Sequence, residues 1–506
     1  MTRVLAIDAG TTGVTALVVD ETGSIHARGY AELPQHFPRP GWVEHDGNEI
    51  VRATHEACTE VFASAAISAG DLTAIGITNQ RETALLWDRQ TLEPVHRAIV
   101  WQDRRTAGAC DALREAGHAE TIRERSGLVV DAYFSGTKLA WLLDHVDGAR
   151  SAAEAGRLAF GTIDSWLVAW LTGGAAHVTD PSNASRTMLF DIREGKWSDE
   201  LCDLLRVPMA VLPEVHPNAA ERGVTDPERL FGARLPITAT VGDQQAALFG
   251  QGCWEASTSK STYGTGSFVL LNTGKNAPSS ERLITTVAWD LGEGLVYALE
   301  GSIFATGAAI QWLRDGLGVI ADAAETGPLA EQVPDTGDVY LVPAFTGLGA
   351  PHWDPYARGI LIGLTRGTTR AHLARAAVEA MAFQTCDVVE AMEADSGIKL
   401  AELRVDGGAV VMDLLCQLQA DLLGVPVLRP VVHETTAMGA AFLAGLGVGV
   451  WSSTGELSEV WRLDRRFSPD MDDATRTERR SRWRQAVDRC LAWAPHTSEE
   501  GGQTRA

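Results

Sequence analysis

Apolar runs alternate with turn residues along the first thirty positions, and this rhythm predicts strands. VLAID (4–8) reads as one strand, the glycine- and threonine-rich stretch after it as a turn, and VTALVVD (14–20) as a second strand. ETGS turns again before IHARGYAEL (25–33), so the opening is an antiparallel meander. Further strands fall at TAIGIT (73–78) and ALLWD (84–88). Helices are expected from about Asp103, over 135–145 and over 162–171.

A second block begins near Gly242. ITATVGDQQAALFGQ (237–251) reads as strand, turn and helix, and STYGTGSFVLLNTG (261–274) as strand, Gly/Thr turn and strand. The latter repeats the theme of the opening. LVYALEGS (295–302) adds a strand and FATGAAIQWLRD (304–315) a helix. A long helix from about Arg370 carries Leu373, Ala377, Met381, Val388 and Met392 at helical spacing, which marks core. LRVDGGAVVMDLLCQLQADLLG (403–424) reads as strand, glycine turn and helix, and ETTAMGAAFLAG (434–445) as a helix of small residues that something approaches closely. The pattern is mixed α/β, in two halves that each open on a strand–turn–strand unit, with a cleft between them. The chain has 506 residues, more than the roughly 250–300 one core can serve. The expected division is residues 1–248 and 249–495, with a frayed polar tail over 496–506.

Composition narrows the function. A formal charge of −23 repels phosphate backbones and argues against nucleic-acid binding, but not against a nucleotide gripped by local amides and a metal. Seven scattered cysteines with no CxxC spacing argue against a disulfide framework or a zinc site. The start, MTRVLAIDAG, has no signal-peptide core, and no apolar run reaches the roughly 20 residues of a spanning helix, so a cytoplasmic protein is expected.

Five places could carry chemistry. Asp8-Ala9-Gly10-Thr11-Thr12-Gly13 offers backbone N–H groups and hydroxyls to phosphate oxygens, with Asp8 placed to hold Mg²⁺. By itself it reads first as an ordinary hairpin. Thr262-Tyr263-Gly264-Thr265-Gly266-Ser267 has the same character, and two such turns after apolar strands make coincidence a poorer account. Asp406-Gly407-Gly408-Ala409 lets the backbone approach a flat ligand near a helix N-terminus, or is a tight connection only. Gly242-Asp243-Gln244-Gln245 puts an acid at a strand end, where Asp243 can take a proton from a hydroxyl, cap the next helix, or both. Arg81-Glu82 suits a ligand with several hydroxyls if the strand ends there, and is otherwise a surface pair.

Taken together, these residues resemble the glycerol kinases of the FGGY sugar and polyol kinase family. The similar stretches include PGWVEHD (40–46), AIGITNQRET (74–83), AIVWQDRRT (98–106), DAYFSGTKLAWLLDH (131–145), TDPSNASRTMLF (179–190), VGDQQAALFGQ (241–251), TYGTGSF (262–268), VPAFTGLGAPHWDPYARG (342–359) and LRVDGGAV (403–410). The resemblance implies two actin-like, ribonuclease H-like domains around a nucleotide and substrate cleft. It also implies ATP and Mg²⁺ as cofactors, glycerol as substrate, and a homodimer or homotetramer. By the same resemblance Arg81, Glu82, Tyr133 and Asp243 bind the glycerol hydroxyls. Trp101 and Phe268 wall its carbon chain, with Gln244 beside them, and Asp243 is the general base. Thr11, Thr12, Gly13, Thr265, Gly307, Gln311, Gly408 and Met412 fall at nucleotide-contacting positions, and Asp8 and Asp243 at metal-linked ones.

The chain departs from the pattern in places. The usual DQGTTSSR opening becomes Asp8 to Thr15, with Thr15 in place of the arginine and Gly13 and Val14 in place of serines. Met412 stands where an asparagine is usual, which bears on ADP affinity or base selectivity. The Gly/Arg loop that binds a sugar-bisphosphate inhibitor in some relatives is reduced to Phe231-Gly232-Ala233-Arg234, so that inhibition is not expected. Two other readings stay open at this level: a kinase of another small polyol or triose, and a weakly active nucleotide- or polyol-binding regulatory protein.

Overall fold

A computed structural model describes residues 2–494; the polar tail expected to fray lies outside them. The opening meander forms as β1 (Arg3–Ala9), β2 (Gly13–Asp20) and β3 (Ile25–Glu32), antiparallel throughout. Three more strands join this first sheet: β4 (Ala74–Asn79), β5 (Ala219–Val224) and β6 (Pro236–Gly242). The order is β5-β6-β4-β1-β2-β3, with β4 parallel to both β1 and β6.

The second sheet is built from β7 (Thr258–Tyr263), β8 (Ser267–Gly274), β9 (Ile284–Asp290), β10 (Leu295–Ile303), β11 (Glu402–Asp406), β12 (Val427–Pro430) and β13 (Leu463–Phe467). Its order is β9-β10-β8-β7-β11-β12-β13. Read outward from β10, the pairings run antiparallel, antiparallel, parallel, parallel, antiparallel. Read outward from β3, the first sheet runs the same way. The repeat seen in the hydrophobic rhythm is thus a repeat of topology, with β9 as an added edge strand. Because the two Gly/Thr turns are the β1–β2 and β7–β8 hairpin loops, they occupy equivalent places. The parallel strands β4, β6 and β11 end at Asn79, Gly242 and Asp406, and ligands in such sheets bind beyond strand carboxyl ends.

Eight helices matter for the argument: α1 (Gly47–Ala65), α2 (Ser135–His145), α3 (Ile163–Leu171), α4 (Asp243–Gly250), α5 (Gly307–Gln311), α6 (Arg370–Ser396), α7 (Asp413–Leu423) and α8 (Thr435–Gly447). Helix α1 covers one face of the first sheet, burying Ile50, Ala57 and Val61 against Val14, Ala16 and Val18. The other face meets α4 and α8. One core there joins Val4, Ala6, Leu17 and Val19 to Leu248 and Phe249 of α4, Ala440 and Leu443 of α8, and Leu270 and Ala298 of the second sheet. Helix α8 therefore covers the first sheet although its chain belongs to the second half. Its small residues explain the fit. A Cβ on Gly439 would lie 1.9 Å from the Ala246 carbonyl oxygen, and one on Gly76 would lie 2.2 Å from that of Ala440.

Two expectations shift. The helix expected from Asp103 begins at Ala107, because Asp103 is held in a turn: its carboxylate accepts from Val43 N at 2.6 Å and from Arg105 N at 2.8 Å. The segment after Phe304 becomes helical only at Gly307 and opens into a π-turn over Trp312–Gly316. All seven cysteines are free and buried, as expected of a chain without a disulfide framework. Among the described residues, no helix is long and apolar enough to cross a membrane.

Packing this tight leaves no room at Gly439. Gly439→Ala should cost about 1–3 kcal/mol by overpacking, read as a lower urea midpoint with an unchanged m-value. An unchanged midpoint would mean that α4 and α8 do not meet backbone to backbone.

Candidate active site

The floor of the cleft is a buried ion network. The chain leaves β4 at Asn79 and turns sharply, with Glu82 at φ +61°, a region that non-glycine residues seldom occupy. The turn lets the neighbours Arg81 and Glu82 work on one side, which an unbroken strand would forbid. The Arg81 guanidinium donates to both oxygens of Glu300 on β10, at 2.5 and 3.1 Å, and to Gln245 Oε1 at 3.1 Å. Arg186 donates to Glu82 at 2.6 Å and to Glu300 at 2.9 Å. All four charged side chains are at most 2% exposed. Burial alone would raise the Glu300 pKa, but Arg186 and then Arg81 outweigh it and hold the carboxyl at about 2.

Asp243 opens α4 directly after β6 and rises from this floor toward the cleft. Its carboxylate lies 3.1 Å from Arg81 Nε, and Gln244 N donates to it at 2.7 Å. The helix is capped by Gly242, so Asp243 is free of the capping role that was its alternative reading. Burial raises its pKa against the opposing pull of Arg81, which makes the carboxylate a better proton acceptor. Lys260 of β7 donates to Gln244 Oε1 and to Thr262 Oγ1, the latter at 2.9 Å. Burial pushes this amine down to about 8, although the nearby acids Asp406, Glu300 and Asp243 pull it up.

Aromatic rings flank the same space. Trp101 and Tyr133 meet edge to face at 5.7 Å, and Tyr133 Oη accepts from Arg81 Nη2 at 3.5 Å. Burial raises the Tyr133 phenol above its ordinary range, so it stays protonated and able to donate. Phe268 of β8 pairs with Ser302, and Leu270 with Glu300, so Phe268 and Glu300 share one face of the second sheet.

The first Gly/Thr turn joins this space through Trp101, whose indole N–H donates to Thr11 Oγ1 at 2.9 Å. Gly10 N closes the loop on Gly13 O at 3.0 Å, and Gln80 and Gln35 brace the Gly10 and Thr11 carbonyls at 3.1 and 3.2 Å. Thr12 is left exposed. The second turn docks on the start of α5, with Gly307 N donating to Gly264 O and Ala308 N to Thr265 O, both at 3.0 Å. A Cβ on Gly307 would stand 2.7 Å from that Gly264 oxygen. Gln311 is exposed at the end of α5. Gly407, at φ +93°, crosses so close to Tyr263 that a Cβ would sit 2.4 Å from its carbonyl, whereas Gly408 faces open space. Met412 is half-buried beside Gly327.

Asp8, at the end of β1, is pushed up to about 8 by burial and by the neighbouring carboxylates Asp243 and Glu434. Acids crowded this way suit a divalent cation. Among the described residues no three metal-binding side chains converge into a closed cage. Mg²⁺ needs none, since it takes one or two carboxylates and completes its shell with water and phosphate oxygens. The residues present therefore fit a magnesium ion shared with a phosphate.

Glu300 and Lys260 had no motif to single them out, and Gln245 and Arg186 lay within GDQQ and TDPSNASRTMLF without a role of their own. A faint signal existed in LVYALEGS, an acid inside an otherwise apolar strand, which a buried carboxylate requires a partner to explain.

Two like-built α/β halves, with paired hairpin turns and a polar, aromatic-walled cleft, define the class: a two-domain kinase of the actin-like ATPase fold. The N-terminal domain of the FGGY family of carbohydrate kinases matches residues 3–250 and the C-terminal domain matches residues 260–448. The chain belongs to this family. It is 58% identical over 495 residues to a glycerol kinase of Trichlorobacter lovleyi, spanning 98% of this chain and all of that protein. It is 56% identical over 494 residues to glycerol kinase 2 of Thermotoga maritima, spanning 97% and 99%. The crystal structure of Plasmodium falciparum glycerol kinase with ADP superposes with a TM-score of 0.92 at 35% identity, covering 97% of this chain and 98% of that one.

Removing one member of a buried ion network strands the others, so Glu300→Gln should cost roughly 3–5 kcal/mol at pH 7. The pH dependence has a definite sign. The Glu300 carboxyl is depressed from 4.5 to about 2, so its stabilising contribution is complete above pH 4.5 and fades as pH falls toward 2. Urea titrations from pH 7 to 3 should therefore show a shallower loss of stability in Glu300→Gln than in the parent. Parallel losses would mean that Glu300 is not the charged member.

Proposed function

We propose that the chain transfers the γ-phosphoryl group of ATP to glycerol, giving ADP and sn-glycerol 3-phosphate. The observation that carries the reading is the Asp243 carboxylate, held 3.1 Å from Arg81 at the rim of a buried polar floor, where Arg81 also reaches the Tyr133 hydroxyl at 3.5 Å. Glycerol has three hydroxyls and little apolar surface, so selecting it calls for fixed polar groups that a poorer ligand leaves unpaired. Arg81, Glu82 and Tyr133 meet its hydroxyls, Trp101 and Phe268 lie along its carbons, and Gln244, fixed by Lys260, closes the side. Two relatives of high identity, both named glycerol kinases, support the same substrate over another polyol.

In the transfer, Asp243 accepts the proton as the terminal O–H bond breaks. That oxygen forms a bond to the γ-phosphorus, and the bond from the γ-phosphorus to the β–γ bridging oxygen breaks, with its electrons leaving on ADP. Thr11, Thr12, Gly13 and Thr265 present backbone amides and hydroxyls to the phosphates from both turns. Gly307, Gln311, Gly408 and Met412 border the nucleoside, where the open space at Gly408 admits a flat group. Asp8, with Asp243 alongside, would hold Mg²⁺, which supplies positive charge to the phosphate oxygens. The rings exclude water, which otherwise competes with glycerol for the phosphoryl group.

A coupled ADP-release assay with Mg-ATP and glycerol, dihydroxyacetone, erythritol or xylulose tests the reading, and turnover should be highest on glycerol. Asp243→Asn should lose about 10²–10⁴-fold in kcat while its calorimetric affinity for glycerol changes little. Near-normal turnover in that variant would remove Asp243 as the base.

A further inference from the structure

The phosphate side of the cleft is acidic: Asp8 lies within electrostatic reach of both Asp243 and Glu434. A nucleotide tail brings several more negative charges to the same place. The cations nearby are mostly engaged: Arg81 and Arg186 within the buried network, and Lys260 on Gln244 and Thr262. Arg28 on β3 is not. Register fixes where it faces. Ala27, Ala31 and Gly29 turn toward α1, so Arg28 and Tyr30 lie on the opposite face of the sheet. That face is the cleft side, for Tyr30 pairs with Thr15 and Thr15 with Asp8, while Arg28 pairs with Leu17 one row below. Thr15 brings no charge to the row.

Arg28 Nε donates to Glu434 Oε1 at 2.9 Å, across 406 residues of sequence, where Glu434 precedes α8. The two side chains are 48% and 42% exposed. An ion pair this wet is weakly held and readily exchanged. A phosphate offers the guanidinium a stronger, bidentate partner. The base of the arm is braced: the Arg28 guanidinium lies 5.6 Å from the Tyr30 ring centre, and Tyr30 Oη donates to the Thr12 carbonyl at 3.3 Å. Tyr30 can reach there because Gly13 has no Cβ, which would stand 2.4 Å from that hydroxyl.

We propose that Arg28 is a phosphate-binding cation of this cleft, resting on Glu434 and moving onto the phosphate oxygens when the nucleotide binds. This rests on the reading that the phosphates of ATP lie at the β1–β2 turn. The exchange does two things at once. It releases Glu434, already 42% exposed, to water, and it adds positive charge where the transferring phosphoryl group carries its negative charge.

The test is calorimetric titration with Mg-ATP and separately with glycerol, beside steady-state kinetics, on four proteins. Arg28→Ala should weaken ATP binding about tenfold and lower kcat, with glycerol affinity and thermal midpoint unchanged. Glu434→Ala, which frees the arginine, should bind ATP more tightly than the parent. Thr15→Arg placed in the Arg28→Ala protein should recover most of the lost affinity, since position 15 faces the same side next to Asp8. ATP binding in Arg28→Ala equal to the parent would overturn the proposal. So would equal weakening by Arg28→Ala and Glu434→Ala, the mark of a merely structural tie. If the parent binds ATP yet phosphorylates no polyol, the kinase reading fails while the ATP titrations still decide the role of Arg28. A parent that binds no ATP overturns both.

Discussion

Four buried charges hold the cleft in shape. Arg81 and Arg186 sit against Glu82 and Glu300 with almost no exposure to water, and each guanidinium touches a carboxylate from a different part of the fold. Such a network is costly to desolvate and stabilises only when every member is paired. Its consequence is directional. Glu300 belongs to the second sheet and Arg81 to the end of a strand in the first, so the network ties the two sheets together at the point where a substrate must be oriented. Asp243 then lies 3.1 Å from a guanidinium that is itself bound into the buried network.

The two halves share more than that pair. Helices α4 and α8 lie between the sheets in one continuous apolar core, so close that a Cβ on Gly439 or Gly250 would strike the facing backbone. The proposed chemistry lies at the mouth of this block, on hairpin turns and strand ends. Rigid elements behind and short loops in front are what positions reacting groups most accurately.

Charge is distributed unevenly around this mouth. The side that would face a polyol is nearly neutral, its acids matched by buried guanidinium groups. The side that would face phosphates is acidic, with Asp8 in reach of both Asp243 and Glu434. That contrast makes sense if cations arrive with or because of the ligand, as the proposed magnesium ion and Arg28 would.

Much of this was present in local pattern. The hairpins, the strand ends and the long helix follow from apolar periodicity, which acts between near neighbours. The two Gly/Thr turns, Asp8 and Asp243 could be picked out because turn chemistry and strand-terminal acids are themselves local features. The small-residue run of α8 announced a close contact, though not with what. Sequence could not show that α8 covers the first sheet, or that Glu300, Arg186, Gln245 and Lys260 complete the site. Arg81 and Glu300 are 219 positions apart, and Arg28 and Glu434 406. Pairings at that range have no periodic signature, because they are made when two sheets pack and the buried charges must find partners. The sequence by itself determined the elements and the reactive turns; the tertiary structure decided which charges meet, since only packing brings distant residues out of water together.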